Sequence, residues 1–179
     1  ERDPGKFHGI GPFDAETGLL KKPEAESFSS VFGKTLVSCA AQDERVCAIT
    51  AAMADGTGLD LFQKEFPRRF FDVAIAEGHG AAMAGGLASQ GMLPVFAVYS
   101  TFLQRSYDML LHDIALERLH VVLAVDRAGL VGNDGETHHG AFDALFLPTV
   151  PGMTVYCPAS FTELRQMLRR AVFECGGPV

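Results

Sequence analysis

The 179 residues contain no tryptophan. They contain no apolar run near the ~18 residues that a membrane span needs, so a membrane partner is not expected. No secretory leader is visible. The chain begins with Glu1, which reads as a fragment or a processed chain. The four cysteines, Cys39, Cys47, Cys157 and Cys175, lie far apart, with no CxxC and no zinc-ligand spacing. Three of them sit in apolar periodic segments, the pattern of reduced core cysteines in a cytoplasmic protein. Positive charge is scarce: 15 bases against 22 acids give a net charge of −7 and no Lys/Arg cluster. That argues against nucleic acid as the main partner, while leaving room for a local basic pocket for a small phosphate. No GxGxxG follows the first predicted strand. Gly56-Thr-Gly58 lacks a Walker lysine, so phosphate cradling by this chain alone is weakly supported. No GxSxG occurs, which argues against a serine hydrolase of that type.

What the chain does have is a globular composition, 47% hydrophobic and 21% charged. Residues 1–25 are linker-like, with Pro4, Gly5, Gly9, Gly11, Pro12, Gly18 and Pro23. They read as the end of a preceding domain and its linker, with one α/β domain over 26–179. Helical spacing runs from Ser27, a plausible N-cap, to Ala41. Apolar runs at 45–50, 70–76, 93–99, 121–126 and 153–157 read as five strands. Between them, 51–58 reads as a small-residue loop and 59–66 as helical. The spacing predicts helices over 77–90, 104–119 and 160–174. In the 104–119 helix, Tyr107, Leu110, Leu111 and Ile114 share a face. Strands alternating with helices predict an α/β fold, a parallel sheet with helices on both faces. The final Pro178-Val179 looks like the start of a further strand.

Three clusters follow predicted strands, at the carboxyl ends where open α/β sheets bind ligands. Glu77 comes directly after 70–76, at the start of a glycine- and alanine-rich helix. It reads either as a carboxylate favoured by the helix dipole or as a proton-exchanging group. His79, two residues on, points elsewhere. Tyr99-Ser-Thr-Phe-Leu-Gln-Arg105 follows 93–99: Tyr99 and Phe102 can wall a flat ligand, and Arg105 can meet an anion. They read equally as core aromatics and a surface arginine. The long loop 126–143 packs four carboxylates, Arg127, and the adjacent His138 and His139. A loop this long is uncommon in a compact domain. With Asp134, Glu136 and Asp143 the histidines invite a metal reading, but the spacing is no established ligand motif. A solvated polar loop is the plainer alternative.

Taken in order, Asp72-Val-Ala-Ile-Ala-Glu77-Gly-His79, Tyr99–Arg105, Asp126-Arg-Ala-Gly-Leu-Val-Gly132 and Asp134–Asp143 resemble the 1-deoxy-D-xylulose-5-phosphate synthase family. The resemblance runs along essentially the whole chain. Phe7-His8 with Pro12-Phe13-Asp14 resembles the close of that family's first domain, and 27–179 its middle, pyrimidine-binding domain. The resemblance implies decarboxylation of pyruvate on thiamine diphosphate and transfer of the two-carbon unit to D-glyceraldehyde 3-phosphate, feeding isoprenoid precursors, thiamine and pyridoxal. It implies Glu77 on the pyrimidine nitrogen of the cofactor, Phe102 stacked on that ring and Tyr99 in the adjoining wall. Arg105 and Arg127 would hold the acceptor's phosphate, where a forked donor suits the anion. His8 and His138 would be acid/base groups near the substrate carbonyl, and Asp134 would support the loop or the acceptor hydroxyls.

The chain departs from the family pattern at Ala51, Gly78 and His139, where Pro, Gln and Gln are frequent. The Gly-Asp-Gly…Asn motif that holds Mg²⁺ and the diphosphate is missing from these residues. Half a cofactor site is therefore expected: weak or no cofactor binding by this stretch alone, no activity, and dependence on the rest of the same polypeptide in a homodimer. Two other readings stand beside this one. One is a non-catalytic α/β association module. The other is a subunit of a split transketolase-type enzyme.

Overall fold

A computed structural model describes residues 11–20, 25–132 and 134–179. Helix α1 (Phe28–Gln42) starts where the Ser27 hydroxyl accepts from the Ser30 N–H, while the Ser30 hydroxyl accepts from the Ser27 N–H. This reciprocal cap satisfies two otherwise orphaned donors. Strand β1 (Val46–Thr50) is buried throughout. Short helices α2 (Ala54–Thr57) and α3 (Asp60–Glu65) lead to β2 (Phe70–Asp72). Then come α4 (Glu77–Ser89), β3 (Leu93–Tyr99), α5 (Ser100–Leu103), α6 (Tyr107–Met109), β4 (Val122–Asp126), α7 (Asp143–Phe146) and α8 (Phe161–Phe173).

The four strands form one all-parallel sheet in the order β2-β1-β3-β4. Successive residues of β3 face opposite layers. Val95 and Ala97 pack with Phe32, Leu36 and Leu168 of α1 and α8. Phe96 and Val98 pack with Ala81, Leu110 and Ile114 on the other side. Phe96 and Phe62 are fully buried, each worth about 1.5–3 kcal/mol of transfer free energy. The parallel sheet between two helical layers is the expected fold.

Four details differ from the sequence reading. The second strand stops at Asp72 rather than Ala76, because Ala74 adopts a left-handed φ of 56°. The Asp72 carboxylate holds that bend by accepting from the Ala52 and Ala74 N–H groups. The helix expected over 104–119 is instead a chain of short turns. It ends in a π-helical stretch, Leu110–Ala115, that still buries Leu110 and Ile114. The 51–58 loop contains the helical turn α2.

Residues 153–157 form no strand. The free edge of β4 is taken by Val179, which donates to Val121 O and accepts from Leu123 N–H. Thr154 reaches only Pro178 O, so the 153–157 segment lies beside the C-terminal residues without a ladder. Cys157 is consequently exposed, while Cys39 and Cys47 are buried core thiols. Burial pushes the Cys47 thiol up to about 11. Among the described residues no helix is long and apolar enough to cross a membrane.

Candidate cofactor- and substrate-binding site

The carboxyl ends of β1, β3 and β4 and the bend after β2 converge on one cluster. Glu77 is the first residue of α4 and only 3% exposed. Its Oε1 accepts from Arg105 Nη1 at 2.6 Å, and its Oε2 has no partner among the described residues. Arg105 lies 5.1 Å from the Phe102 ring centroid, and its side chain is 56% exposed. The Phe102 ring stacks on Tyr99 with centroids 6.0 Å apart, and His138 meets its edge at 5.3 Å. His138 Nδ1 is paired with the Thr137 hydroxyl, and its Nε2 has no partner among the described residues.

Arg127, at φ 57°, opens the long loop. Its Nε donates to Asp134 at 2.8 Å and its Nη1 to Gly56 O at 3.0 Å. The guanidinium carbon sits 3.8 Å from the Tyr99 ring centroid, a cation–π contact. Burial works against the Arg127 charge, but the Asp134 bond and the nearby Tyr99 and Asp126 hold its pKa above the ordinary value. Burial also raises the Tyr99 phenol; Arg127 opposes this, and Asp126, Asp134 and Asp55 reinforce it. The loop is closed at its base by paired hydrogen bonds between Gly129 and Gly140, and His139 accepts from Val131 N–H. A Cβ on Gly140 would strike Ser100 Oγ at 2.5 Å, so only glycine lets the loop return there.

The structure thus brings together Glu77, Tyr99, Phe102, Arg105, Arg127, Asp134 and His138. It places Arg105 on the Glu77 carboxylate, a partner the sequence did not reveal. His79 is exposed and His139 serves the loop backbone. His8 lies outside the described residues. No group of three or more metal-ligating side chains gathers among the described residues.

Four contributors were missed by sequence reasoning. They are Gly56, through its carbonyl; Asp72, through the two alanine N–H groups; Met53, whose sulfur accepts from Tyr99 N–H; and Ser29, whose hydroxyl donates to Asp126. In the sequence Gly56 stands out only as part of a short Gly-Thr-Gly in an expected loop and Asp72 only as the first residue of a family-like run, and neither contact had a signal of its own. A groove of about 500 Å³ runs along the edge of β4, lined by Val125, Tyr156 and Leu168. It meets the cluster through Arg127 but not through Glu77, Tyr99 or Phe102, which lie at the strand ends outside its lining.

A parallel sheet with a buried helix-start glutamate and an aromatic wall defines a class. Residues 25–179 match the pyrimidine-binding domain of transketolase, and the chain belongs to that family. More narrowly, it is 57% identical over 172 residues to the 1-deoxy-D-xylulose-5-phosphate synthase of Clostridium kluyveri, covering 96% of this chain and 28% of that protein. To 1-deoxy-D-xylulose-5-phosphate synthase 1 of Geobacter sulfurreducens it is 54% identical over 178 residues, covering 98% and 28%. The chain therefore spans little more than a quarter of these curated relatives. Among solved structures it is similar to a split gene transketolase described as an inactive beta4 tetramer. There the identity is 28% and the TM-score 0.75, over 85% of this chain and 49% of that one. The transketolase of Leishmania mexicana, at 18% identity and TM-score 0.77 over 88% and 25%, shares the fold.

Proposed function

We propose that this chain is the pyrimidine-binding part of a thiamine-diphosphate-dependent synthase. The reaction joins pyruvate, with loss of carbon dioxide, to D-glyceraldehyde 3-phosphate, giving 1-deoxy-D-xylulose 5-phosphate for isoprenoid precursors and thiamine. The observation that carries this is Glu77, buried at the start of α4 with one oxygen free, beside an aromatic wall and Arg127. These residues fit the pyrimidine half of the cofactor: a carboxylate for a ring nitrogen and a flat apolar face for the ring.

Thiamine diphosphate, when bound, supplies the electron sink for decarboxylation. Glu77 would hold the pyrimidine nitrogen by a hydrogen bond and pass a proton there. Phe102 and Tyr99 would orient the ring and exclude water. His138 would move a proton at the substrate's carbonyl oxygen, and His8 would join it. Arg127, anchored by Asp134, would take the acceptor's phosphate. Arg105 would first release Glu77, then turn to the same anion. Mg²⁺ and the diphosphate would fall mainly to residues of the preceding domain, with 1–25 as its end and linker and 26–179 as the pyrimidine domain. The working enzyme would be a cytoplasmic homodimer, and this stretch alone would make no product.

The test is product formation from the two substrates by a full-length protein carrying Glu77 or Glu77→Gln. The substitution should lower kcat about a hundredfold or more, the range of a proton-transfer role. Full activity in the variant would remove Glu77 from the mechanism. A second reading, a split transketolase-type subunit, draws on the likeness to the split gene transketolase. Co-purification with a separate diphosphate-binding chain would favour it.

A further inference from the structure

Gly56 stands inside α2 without a positive φ, so its backbone conformation does not call for glycine. Helix propensity favours alanine there. What excludes alanine is Tyr99. A Cβ at position 56 would overlap the Tyr99 Oη and come within 2.8 Å of Cζ and 3.2 Å of Cε1. The same residue's carbonyl accepts from Arg127 Nη1 at 3.0 Å, and the Arg127 guanidinium carbon lies over the Tyr99 ring, 3.8 Å from its centroid. Tyr99 and Gly56 thus form the two sides of a slot that holds the guanidinium. The Asp134 bond to Nε fixes its rotation. The guanidinium is left with Nη2 donors that have no partner among the described residues, on a side chain 24% exposed.

We propose that Gly56 is a positioning residue that sets the depth and orientation of Arg127, and through it the affinity for a phosphorylated acceptor. It touches neither substrate nor cofactor: its missing Cβ admits the Tyr99 hydroxyl, and its carbonyl pins the arginine. This rests on the function proposed above, in that Arg127 takes the acceptor's phosphate. Gly56→Ala keeps the carbonyl and the helical turn but pushes Tyr99 out of the slot, which frees Arg127 to tilt.

The test uses the full-length protein with native Gly56, Gly56→Ala, Tyr99→Phe and the double variant. In Gly56→Ala the KM for D-glyceraldehyde 3-phosphate should rise about tenfold or more while the KM for pyruvate stays within about twofold of native; kcat falls as the Tyr99 wall moves, but general loss of structure does not split the two KM values in this way. With unphosphorylated glyceraldehyde the same fall in kcat should appear without the rise in acceptor KM. Removing the hydroxyl relieves the overlap, so adding Gly56→Ala to Tyr99→Phe should raise the KM less than adding it to the native protein.

An unchanged KM for the phosphorylated acceptor overturns the proposal, as does an equal rise in KM for both acceptors. A native protein that makes no product would sink the functional reading. In that case inorganic phosphate binding and a crystal structure of the variant decide. Phosphate binding weakened together with a displaced Tyr99 and Arg127 upholds the slot. Unchanged phosphate binding, or both side chains in place, overturns it.

Discussion

At the residue scale, the site joins side chains that are informative in the sequence to backbone groups that are not. Tyr99 carries a titration prediction. Burial, reinforced by Asp126, Asp134 and Asp55 and opposed by Arg127, raises its phenol above 10.0. A folded-state pKa above the unfolded value favours the protonated form. Its contribution to stability is therefore complete below pH 10 and is lost as pH rises through the raised value. The difference in tyrosinate absorbance between the native chain and Tyr99→Phe reports this residue alone. A midpoint above 10 is expected, and one at or below 10 would contradict the buried slot. Glu77, Arg105, Arg127 and His138 were legible because each follows a strand in a recognisable run. The Arg105–Glu77 pair was not, since 28 residues separate them and only the packing of the α5 region on α4 closes the gap. Nor were the Gly56 carbonyl and the Met53 sulfur, because neither acts through a chemistry that residue type announces.

Helix α4 tests how tightly its elements pack, because it carries adjacent glycines in opposite surroundings. A Cβ on Gly85 would lie 2.7 Å from the carbonyl oxygen of Asp113, in the π-helical stretch. A Cβ on Gly86 would meet nothing within 4 Å. Gly85→Ala should therefore destabilise by about 1–3 kcal/mol through overpacking against backbone. Gly86→Ala should stabilise by about 0.5–1 kcal/mol, the helix-propensity difference. Urea unfolding of both variants checks the pair. Equal signs would mean that α4 does not press on that stretch as described. The same contact helps explain which elements the sequence disclosed. Helices α1 and α8 carry serine caps and strands β1, β3 and β4 are apolar runs, so their bounds fall within a residue or so of expectation; α4 has no side-chain cap and is marked off instead by the strand before it and by Gly91, at φ 84°, just past its end. The 104–119 segment has helical spacing too, yet local apolar spacing does not encode where the hydrogen-bond pattern widens to a π-turn. The early end of β2 depends on a left-handed alanine braced by Asp72, a conformation alanine seldom signals.

For the whole molecule, the sheet is covered on both faces but open at one edge and at its carboxyl ends. Among the described residues the edge of β4 receives only Val179, through Val121 O and Leu123 N–H. The groove beside it is mainly apolar, with Phe28, Phe32, Val125, Tyr156 and Leu168 along it. Ile75 and Leu130, flanking the site, are 79% and 84% exposed. Exposed apolar surface joined to an unpaired strand edge favours association. The chain's net charge of −7 opposes it. The 179-residue chain should therefore self-associate in the micromolar range, as a dimer or a small oligomer. Association should strengthen as salt screens the repulsion between copies, and further in sulfate, which favours burial of apolar surface. Sedimentation across that range at low and high salt separates the forces. Association that weakens with salt would point to charged contacts instead, and a monomer under every condition would mean that the open edge and the exposed site flank do not drive assembly.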